Sequence, residues 1–189
     1  MTRASGPEVS RLEGARVAIR PFRPAEMEAV WRSHLASSDW PMGRPSRRRV
    51  RSRVAHSGRF HRGFLFLAIE SDGRPAGEIQ AWGGEERSLP PGTVEIGIYL
   101  WDPSDRGHGY GTEAVALLTS WLFEQPAMQR VQASTDVANA PLRRSLERLG
   151  FRREGTMRGF MPSATGREDY ALYAVVKREW VKREWVPRP

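Results

Sequence analysis

Cysteine is absent from this 189-residue chain, and histidine occurs only 4 times. Without cysteine the chain has no disulfide, no zinc–thiolate site and no cysteine nucleophile. No two histidines have the spacing of metal ligands on one helix face. No apolar run approaches the roughly 18 residues that a membrane-spanning helix needs, and residues 1–11 lack the apolar core of a signal peptide. We therefore expect a cytoplasmic protein without a metal site.

Positive charge is in excess: 30 Lys and Arg stand against 22 Asp and Glu, giving a net charge of +8 and an isoelectric point near 10.8. Such a chain favours anionic partners, among them a phosphate-bearing cofactor, an acidic substrate or nucleic acid. Arginines concentrate between Arg44 and Arg53, where Val50 and Val54 leave room for a short basic helix. No aromatic residues are interleaved with them, as single-strand nucleic-acid binding would favour. A solvated helix face, or one wall of a substrate pocket, fits this segment better.

Hydrophobic periodicity predicts alternating strands and helices with no internal domain boundary. The predicted strands are residues 15–22, 63–69, 75–82, 94–101, 130–135, 151–155 and 169–176. Helices are predicted to begin at Pro24, after Gly111 and at Asn139. We expect residues 1–10 to be a flexible tail and 11–180 a single domain. Residues 181–189 are expected to be a C-terminal extension, in which the five residues 176–180 are repeated as 181–185.

The stretch 94–114 contains the clearest local pattern, in which a strand and a turn lead into a glycine-rich loop and an amphipathic helix. The loop is Arg106-Gly107-His108-Gly109-Tyr110-Gly111. Backbone N–H groups at a helix start lie beside the positive end of the helix dipole and suit a pyrophosphate, and Arg106 adds a forked donor. The glycines could equally serve only to turn a strand into a helix, so the neighbouring residues must decide.

Two nucleotide-binding motifs are excluded by those neighbours. A P-loop needs Lys and then Ser or Thr after its last glycine, whereas Gly111 is followed by Thr112 and Glu113. A dinucleotide fingerprint turns directly off its strand, whereas residues 102–108 intervene here. The acidic residue of such a fingerprint would be Asp136, after the next strand. Only about 50 residues follow it, which is too few for the rest of a doubly wound sheet.

The sequence resembles the GNAT N-acyltransferases, whose acyl-CoA-binding motif R/Q-x-x-G-x-G/A is met by residues 106–111. The order of elements fits from Val17 to about Trp180. The chain is more narrowly similar to the RimJ/RimL-type branch through these residues: Arg20-Pro21-Phe22, Glu95-Ile96-Gly97, Gly109-Tyr110-Gly111-Thr112-Glu113-Ala114, Asn139, Leu149-Gly150-Phe151 and Glu154-Gly155. The resemblance implies an α/β (mixed α+β) fold with a central, mixed, mostly antiparallel sheet of about six to seven strands. That sheet would be splayed after the fourth strand and flanked by helices.

The same resemblance implies acetyl-CoA as the cofactor, bound where the strands splay. Its pantetheine arm would pair with the backbone of Leu100 and Trp101, because an extended amide chain needs free strand hydrogen bonds. The rest of the cofactor would be held by the loop and by the next strand–helix junction. These implied cofactor-binding residues are Arg106, Gly107, His108, Gly109, Tyr110, Gly111, Thr112 and Asn139.

Acyl transfer to an amine needs a base, because amines are mostly protonated at neutral pH. Glu95 is the leading candidate, since it interrupts a strand that otherwise has the pattern of one buried on both faces. A solvated carboxylate or a substrate anchor is the competing interpretation of Glu95. Glu78 and Asp136 are alternative bases.

The general acid is harder to assign. In the families that the chain resembles, a Tyr or a Ser is usual at the positions that are Leu146 and Leu142 here. Ser145, on the same predicted helix, is the candidate catalytic acid, with Tyr99 and Tyr110 as further options. Packing or a helix-surface position is the competing interpretation of each.

The expected function is that of an acetyl-CoA-dependent N-acetyltransferase, in which a primary amine attacks the acetyl group directly in a ternary complex. The acceptor would be a protein N-terminus or a small-molecule amine. Another acyl donor such as succinyl-CoA is the alternative within the enzymes, and a basic nucleic-acid-binding module is the alternative outside them. We expect no membrane partner, and a homodimer stays open.

Overall fold

The apolar runs of the sequence form an eight-stranded mixed sheet with helices on both faces, in a computed structural model that describes residues 7–36, 46–83, 89–164 and 166–180. The strands are β1 (Leu12–Glu13), β2 (Ala18–Arg20), β3 (Phe64–Ser71), β4 (Arg74–Gly83), β5 (Thr93–Leu100), β6 (Arg130–Asp136), β7 (Arg152–Ser163) and β8 (Gly166–Val176). The helices are α1 (Met27–Ala36), α2 (Arg47–Ala55), α3 (Tyr110–Glu124) and α4 (Ala140–Arg148). Short 3₁₀ turns occupy Pro24–Glu26, Pro103–Asp105 and Lys177–Glu179.

The strand order is β1-β2-β3-β4-β5-β6-β8-β7, and all neighbours are antiparallel except β5 and β6. The parallel pair β5–β6 is joined only at Thr93, Val94 and Glu95, and the two strands part beyond that point. The predicted mixed, mostly antiparallel sheet is therefore confirmed. So is its splay after the fourth predicted strand, residues 94–101, which is β5 in the structure. The predicted number of strands was too low because β1 is only two residues long and carries no periodic pattern of its own.

The main core lies between one face of the sheet and helices α3 and α4. Alternation along β3 directs Leu65, Leu67 and Ile69 into this core and Phe66 to the opposite face. On that opposite face a smaller cluster packs beneath α1 and α2. Its buried members are Phe22, Val30, Val50, Val54, Phe66 and Ala68.

Glu113 fastens the segment before β2 to the first turn of α3. Its carboxylate is 1% exposed and accepts three backbone hydrogen bonds, from Ala15 at 2.7 Å, Arg16 at 2.9 Å and Val17 at 3.0 Å. Gly14 lies so close to this carboxylate that an added Cβ would stand 2.6 Å from the carboxyl carbon. The chain therefore needs both a carboxylate at 113 and a residue without a side chain at 14.

The two closing strands are longer than the predicted 151–155 and 169–176. β7 and β8 form a hairpin of 12 and 11 residues whose turn lies between Ser163 and Gly166. Most of β7 has its side chains at the surface or half-buried, so its sequence lacks the apolar alternation on which the prediction depended. The extension brings the turn of the hairpin to the end of the sheet where β5 and β6 part.

Of the predicted N-terminal tail, residues 7–10 are described, and Val9 is buried with its N–H bonded to Gly58 O at 2.7 Å. The packed part of the chain thus begins before residue 11. The repeated segment 181–189 lies outside the described residues, as does Arg44. In the part of the Arg-rich segment that is described, α2 exposes Arg47, Arg48, Arg49 and Arg51. Within the described ranges, no helix has both the length and the apolar character to cross a membrane.

A buried ionic network joins β2 to β3 beside the 3₁₀ turn at Pro24–Glu26. Arg20 is 4% exposed and contacts Glu70 at 2.5 Å and Glu26 at 2.7 and 2.9 Å. Arg11 adds a second contact to Glu70, at 2.8 Å. Burial, the largest single effect, raises the pKa of Glu70, but the hydrogen bonds from Arg11 and Arg20 outweigh it and hold the pKa below its ordinary 4.5.

We predict that Glu70→Gln lowers the free energy of unfolding at pH 7 by about 3 kcal/mol, because a buried guanidinium loses its charged partner. A depressed folded-state pKa stabilises the protein above the ordinary pKa, and this contribution is lost as the pH falls below about 4.5. The variant should therefore lose less stability than the wild type between pH 5 and pH 3. Urea unfolding across this range measures both effects.

Glu28→Gln is the matched control, because Glu28 pairs with Arg47 at 2.6 Å on the surface, where the two side chains are 44% and 53% exposed. An exposed pair contributes about 1 kcal/mol or less. Equal unfolding curves for Glu70→Gln and the wild type would contradict the network's role.

Candidate active site

Beyond Glu95, the edge of β5 that faces β6 has no strand partner among the residues that the structure describes. The N–H of Trp101 donates to Ala76 O at 3.0 Å, so the backbone of Trp101 faces β4. Backbone groups alternate sides along a strand, and those of Ile98 and Leu100 therefore face the gap. The Trp101 ring stacks on Phe22, on the face covered by α1 and α2, at a centroid distance of 6.1 Å. Of the two residues predicted to pair with an extended ligand, Leu100 presents its backbone to the gap and Trp101 does not.

The glycine-rich loop ends at the start of α3, where Gly109 is the N-cap. Gly107 and Gly109 have φ of +84° and +83°, in the left-handed region that glycine adopts most readily. Within the part of the chain that the structure describes, the N–H groups of residues 107–112 donate to no protein acceptor. These six adjacent donors, which we call the N–H cradle, lie at the positive end of the helix dipole, an arrangement that suits an anion.

Side-chain contacts of three arginines hold this loop in place. Arg74 at the start of β4 makes a bidentate contact to Asp105, at 3.0 and 2.6 Å, and Asp105 is 5% exposed. Arg16 donates to His108 O at 2.7 Å. The side chain of Arg106 is exposed, with its Nη2 atom 3.5 Å from Leu100 O. The predicted cationic donor therefore lies between the free strand edge and the N–H cradle.

A cavity of about 960 Å³ lies in the gap between β5 and β6. It is lined on one side by Val115 of α3 and by Leu142 and Leu146 of α4. It is also lined by Glu78, which pairs in register with Ala68 on the opposite face of the sheet. A single cavity that reaches side chains on both faces passes through the sheet. The β7–β8 hairpin closes its far side with Pro162, Ser163, Ala164, Glu168 and Tyr170.

Glu95 lies where the two strands begin to part. It is half-buried, and its carboxylate accepts hydrogen bonds from Ser134 Oγ at 2.6 Å and from Gln132 Nε2 at 3.0 Å. Ser134 is among the described residues that line the cavity, and Glu95 is not. Thus Glu95 meets the cavity through Ser134.

The two alternative carboxylates both line the cavity. Glu78 is fully buried between His34 Nε2 at 2.9 Å and Gln80 Nε2 at 3.2 Å. Asp136 accepts from the backbone of Ala138 at 2.7 Å. The pairing of Glu78 with His34 was not predicted, because the two residues are 44 positions apart and nothing in the local pattern of α1 marks a histidine as a partner.

Ser145 does not line the cavity within the described residues. Its hydroxyl accepts from Thr112 Oγ1 at 2.8 Å and donates to Pro141 O at 3.1 Å, which ties α4 to the first turn of α3. The cavity side of α4 presents Leu142 and Leu146 instead, so the helix offers an apolar wall where a proton donor was sought.

The remaining predicted residues are distributed around the two ends of the cavity. Asn139 lines the cavity and caps α4 by accepting from the N–H of Leu142 at 3.2 Å. Tyr99 lines the cavity, whereas Tyr110 lies beside His108 with their rings 5.8 Å apart. The structure thus brings together the loop, Leu100 and Asn139 on the side of α3 and α4. It places Glu95 at the point where β5 and β6 part, which we call the fork, and it places Ser145 outside the cavity.

Comparison with known proteins identifies the class of fold to which this arrangement belongs. Residues 16–152 match the family model described as the acetyltransferase (GNAT) domain. The chain therefore belongs to the GNAT acetyltransferase family, as the glycine loop together with Asn139 and the Gly150-Phe151 pair predicted.

Individual relatives are distant. Over 88 residues the chain is 30% identical to the uncharacterized N-acetyltransferase YnaD of Bacillus subtilis (strain 168), covering 47% of this chain and 51% of the relative. Over 115 residues it is 30% identical to an aminoglycoside N(6')-acetyltransferase type 1 of Klebsiella pneumoniae, covering 57% of this chain and 54% of the relative. The matches thus span about half the length of these curated relatives.

Among solved structures, the fold is similar to that of RimL, a ribosomal L7/L12 alpha-N-protein acetyltransferase in complex with coenzyme A. The TM-score is 0.72 at 20% identity, over 88% of this chain and 98% of that one. This likeness supports the predicted RimJ/RimL-type architecture and, at this identity, concerns the fold alone.

We predict that Ser145→Ala changes the rate of acetyl transfer by less than about twofold, because its hydroxyl is bonded to Thr112 and Pro141 and lies outside the cavity. The free energy of unfolding should fall by about 1 kcal/mol as the contact between α3 and α4 is lost. Thr112→Val, which removes the partner of the same hydrogen bond, should lower stability similarly. A drop in rate of about tenfold or more in Ser145→Ala alone would instead restore Ser145 as the general acid.

Proposed function

We propose that this protein is an acetyl-CoA-dependent N-acetyltransferase that transfers an acetyl group directly to a primary amine within a ternary complex. The observation that carries the proposal is the cavity that crosses the sheet at the fork. On one side it is lined by Ile98 of the free strand edge and by Val115 of α3, the helix whose first turn carries the N–H cradle. On the other side it is lined by carboxylates and hydroxyl groups. Two substrates can therefore approach one point from opposite faces, which is what direct transfer requires.

The cofactor side fits the parts of an acyl-CoA. The backbone groups of Ile98 and Leu100 that face the gap suit the amides of the pantetheine arm. Ile98 replaces Trp101 in this role because the Trp101 N–H is bonded to Ala76. The N–H groups of residues 107–112 suit the pyrophosphate, with Arg106 as a charged donor beside them. Asn139 borders the same side of the cavity. When bound, the cofactor supplies the acetyl group as an activated thioester.

The chain's own contribution is to position the amine, to accept its proton and to stabilise developing charge. Free N–H groups on the edge of β5 face the gap, where an oxyanion would develop on the thioester carbonyl. Glu95 remains the candidate base, acting at the point where the strands part. No side chain of α4 within the cavity can protonate the leaving sulfur, since Leu142 and Leu146 occupy that wall. A thiolate is a weak base, so its departure does not depend on a dedicated acid.

The acceptor side favours a cationic amine. Glu78, Asp136 and Glu168 line the cavity, and no Lys, Arg or His is among the described residues that do so, although the chain as a whole has a net charge of +8. Asp136 on β6 pairs in register with Tyr170 on β8. Glu168, two residues before Tyr170, is therefore the diagonal neighbour of Asp136, at a distance of about 7–8 Å. No Arg or Lys of the described chain forms an ion pair with Asp136 or Glu168. We propose that these two carboxylates bind a second positive charge on a small acceptor.

The similarity to an aminoglycoside acetyltransferase is consistent with such an acceptor. The structural likeness to RimL, whose printed substrate is a ribosomal protein N-terminus, makes an N-terminal peptide the competing class. The two classes differ in the charge close to the reacting nitrogen. A diamine carries a second cation within a few bonds, whereas the next group of a peptide is a neutral amide.

For the cofactor, we predict that Arg106→Ala raises the Kd for coenzyme A about tenfold, because a charge-assisted contact to phosphate is lost from an exposed position that does not affect folding. Isothermal titration measures this. Arg48→Ala is the control, since Arg48 is also an exposed arginine but lies on α2. An unchanged Kd in Arg106→Ala would remove Arg106 from the cofactor site.

For the acceptor, we predict that the wild type acetylates 1,4-diaminobutane with a lower KM than n-butylamine, as measured by release of coenzyme A from acetyl-CoA. The double variant Asp136→Asn, Glu168→Gln should raise the KM for the diamine about tenfold, equivalent to about 1.4 kcal/mol, and leave that for the monoamine nearly unchanged. A tripeptide with a free N-terminus tests the competing class. Turnover of the peptide alone would overturn the small-amine assignment.

A further inference from the structure

Ser134 stands between the candidate base and the cavity. Its side chain lines the cavity, and its Oγ atom is 2.6 Å from Glu95 Oε1. Glu95 itself is not among the described residues that line the cavity. A proton that leaves an amine in the cavity therefore meets the oxygen of Ser134 before it meets the carboxylate.

Ser134 donates to Glu95 because a carboxylate only accepts hydrogen bonds. A chain of contacts from β7 to β6 orients the other donor to the same carboxylate, Gln132. Glu154 holds the Arg130 guanidinium at 2.7 and 2.6 Å, and Arg130 Nε donates to Gln132 Oε1 at 3.2 Å. Gln132 must then turn its amide nitrogen toward Glu95, which it contacts at 3.0 Å. One oxygen of Glu95 is thus occupied by an N–H donor, and the other is left for the Ser134 hydroxyl.

With its hydrogen directed at Glu95, the Ser134 oxygen keeps its lone pairs for another donor. An attacking amine is such a donor, because its nitrogen acquires positive charge as it forms a bond to carbon. The 2.6 Å separation from Glu95 is typical of a charge-assisted hydroxyl–carboxylate hydrogen bond, along which the serine proton can pass to the carboxylate.

We propose that Ser134 is a catalytic residue that relays the proton of the attacking amine to Glu95; the proposal rests on the proposed acetyl transfer. As the amine nitrogen bonds to the thioester carbonyl carbon, its proton passes to Ser134 Oγ and the proton of Ser134 passes to Glu95 Oε1. The C–S bond then breaks, and the sulfur leaves as a thiolate that solvent can protonate. Glu95 returns its proton to solvent, and the serine ends the cycle as a hydroxyl.

The other acidic groups of the cavity are less suited to this step. Glu78 lines the cavity, but its two oxygens are held by His34 and Gln80 within a fully buried cluster. Asp136 lies at the end of β6 and is capped by the N–H of Ala138. The groups that face Glu95 are Ser134, Gln132 and, opposite it in register on β4, the uncharged Trp82. Arg130 is the nearest cation to Glu95 in this network and reaches it only through Gln132.

The test compares three serine variants in a steady-state assay of coenzyme A release with 1,4-diaminobutane. Ser134→Ala removes the hydroxyl and Ser134→Thr keeps it. Ser120→Ala removes a hydroxyl of α3 that accepts from Trp180 Nε1 and lies outside the cavity. The kcat of Ser134→Ala should fall by about 100-fold or more, as for the loss of a general base, while the Kd for coenzyme A stays unchanged. Ser134→Thr should recover activity to within about threefold of the wild type, and Ser120→Ala should keep it.

A double variant, together with the dependence of kcat on pH, separates a relay from a merely structural contact. Glu95→Gln should lower kcat as much as Ser134→Ala does, and combining the two changes should add little, because one relay is being removed twice. A kcat of Ser134→Ala within twofold of the wild type and with the same pH profile would overturn the relay. So would a loss confined to Glu78→Gln, which would place the base on β4. Absence of turnover in the wild type with every amine would instead defeat the proposed function, while coenzyme A binding is measured separately.

Discussion

The early end of the parallel pairing between β5 and β6 is the constraint on which the rest of the structure depends. The two strands are joined only at Thr93, Val94 and Glu95. Their outer pairings continue much further, to Leu100 opposite Gly77 on one side and to Asp136 opposite Tyr170 on the other. Each half of the sheet therefore stays intact while a seam opens between them. Backbone groups along such a seam are costly to bury without partners, so the fold has a free edge that a ligand with amide groups can satisfy.

The fork is stabilised differently on the two faces of the sheet. On the face toward α3, Val94, Ile96 and Val131 are buried in the main core, which holds the strands together by apolar packing. On the opposite face the contact is polar, and the Glu95 carboxylate joins β5 to Gln132 and Ser134 of β6. Gly97 follows directly along β5, where an added Cβ would lie 3.0 Å from the indole of Trp82. The Glu95-Ile96-Gly97 sequence thus combines a bridge, a core residue and a site of close approach.

Features encoded locally in the sequence could be predicted, and those that depend on distant partners could not. The glycine loop and α3 follow from adjacent residues, because left-handed glycines and an apolar helix face are local properties. The β7 extension was missed because half-buried side chains give no periodic signal. The pairing of His34 with Glu78 and the engagement of Ser145 by Thr112 join residues 44 and 33 positions apart. Ser145 is a hydroxyl residue on the predicted helix, but its side chain lies on a face of α4 that does not border the cavity.

Under the proposed function, the distribution of charge gives the two substrates opposite orientations in one cavity. Positive charge dominates the chain and is exposed on Arg106 and along α2, whereas the cavity lining described carries only carboxylates as charged groups. Exposed charges are screened beyond about 10 Å at ordinary salt, so a ligand inside the cavity experiences mainly the groups that line it. A phosphate-bearing cofactor is then drawn to the loop and a cationic amine to Asp136 and Glu168. Because each substrate suits only one side of the cavity, the reacting atoms meet at the fork, where Ser134 and Glu95 lie.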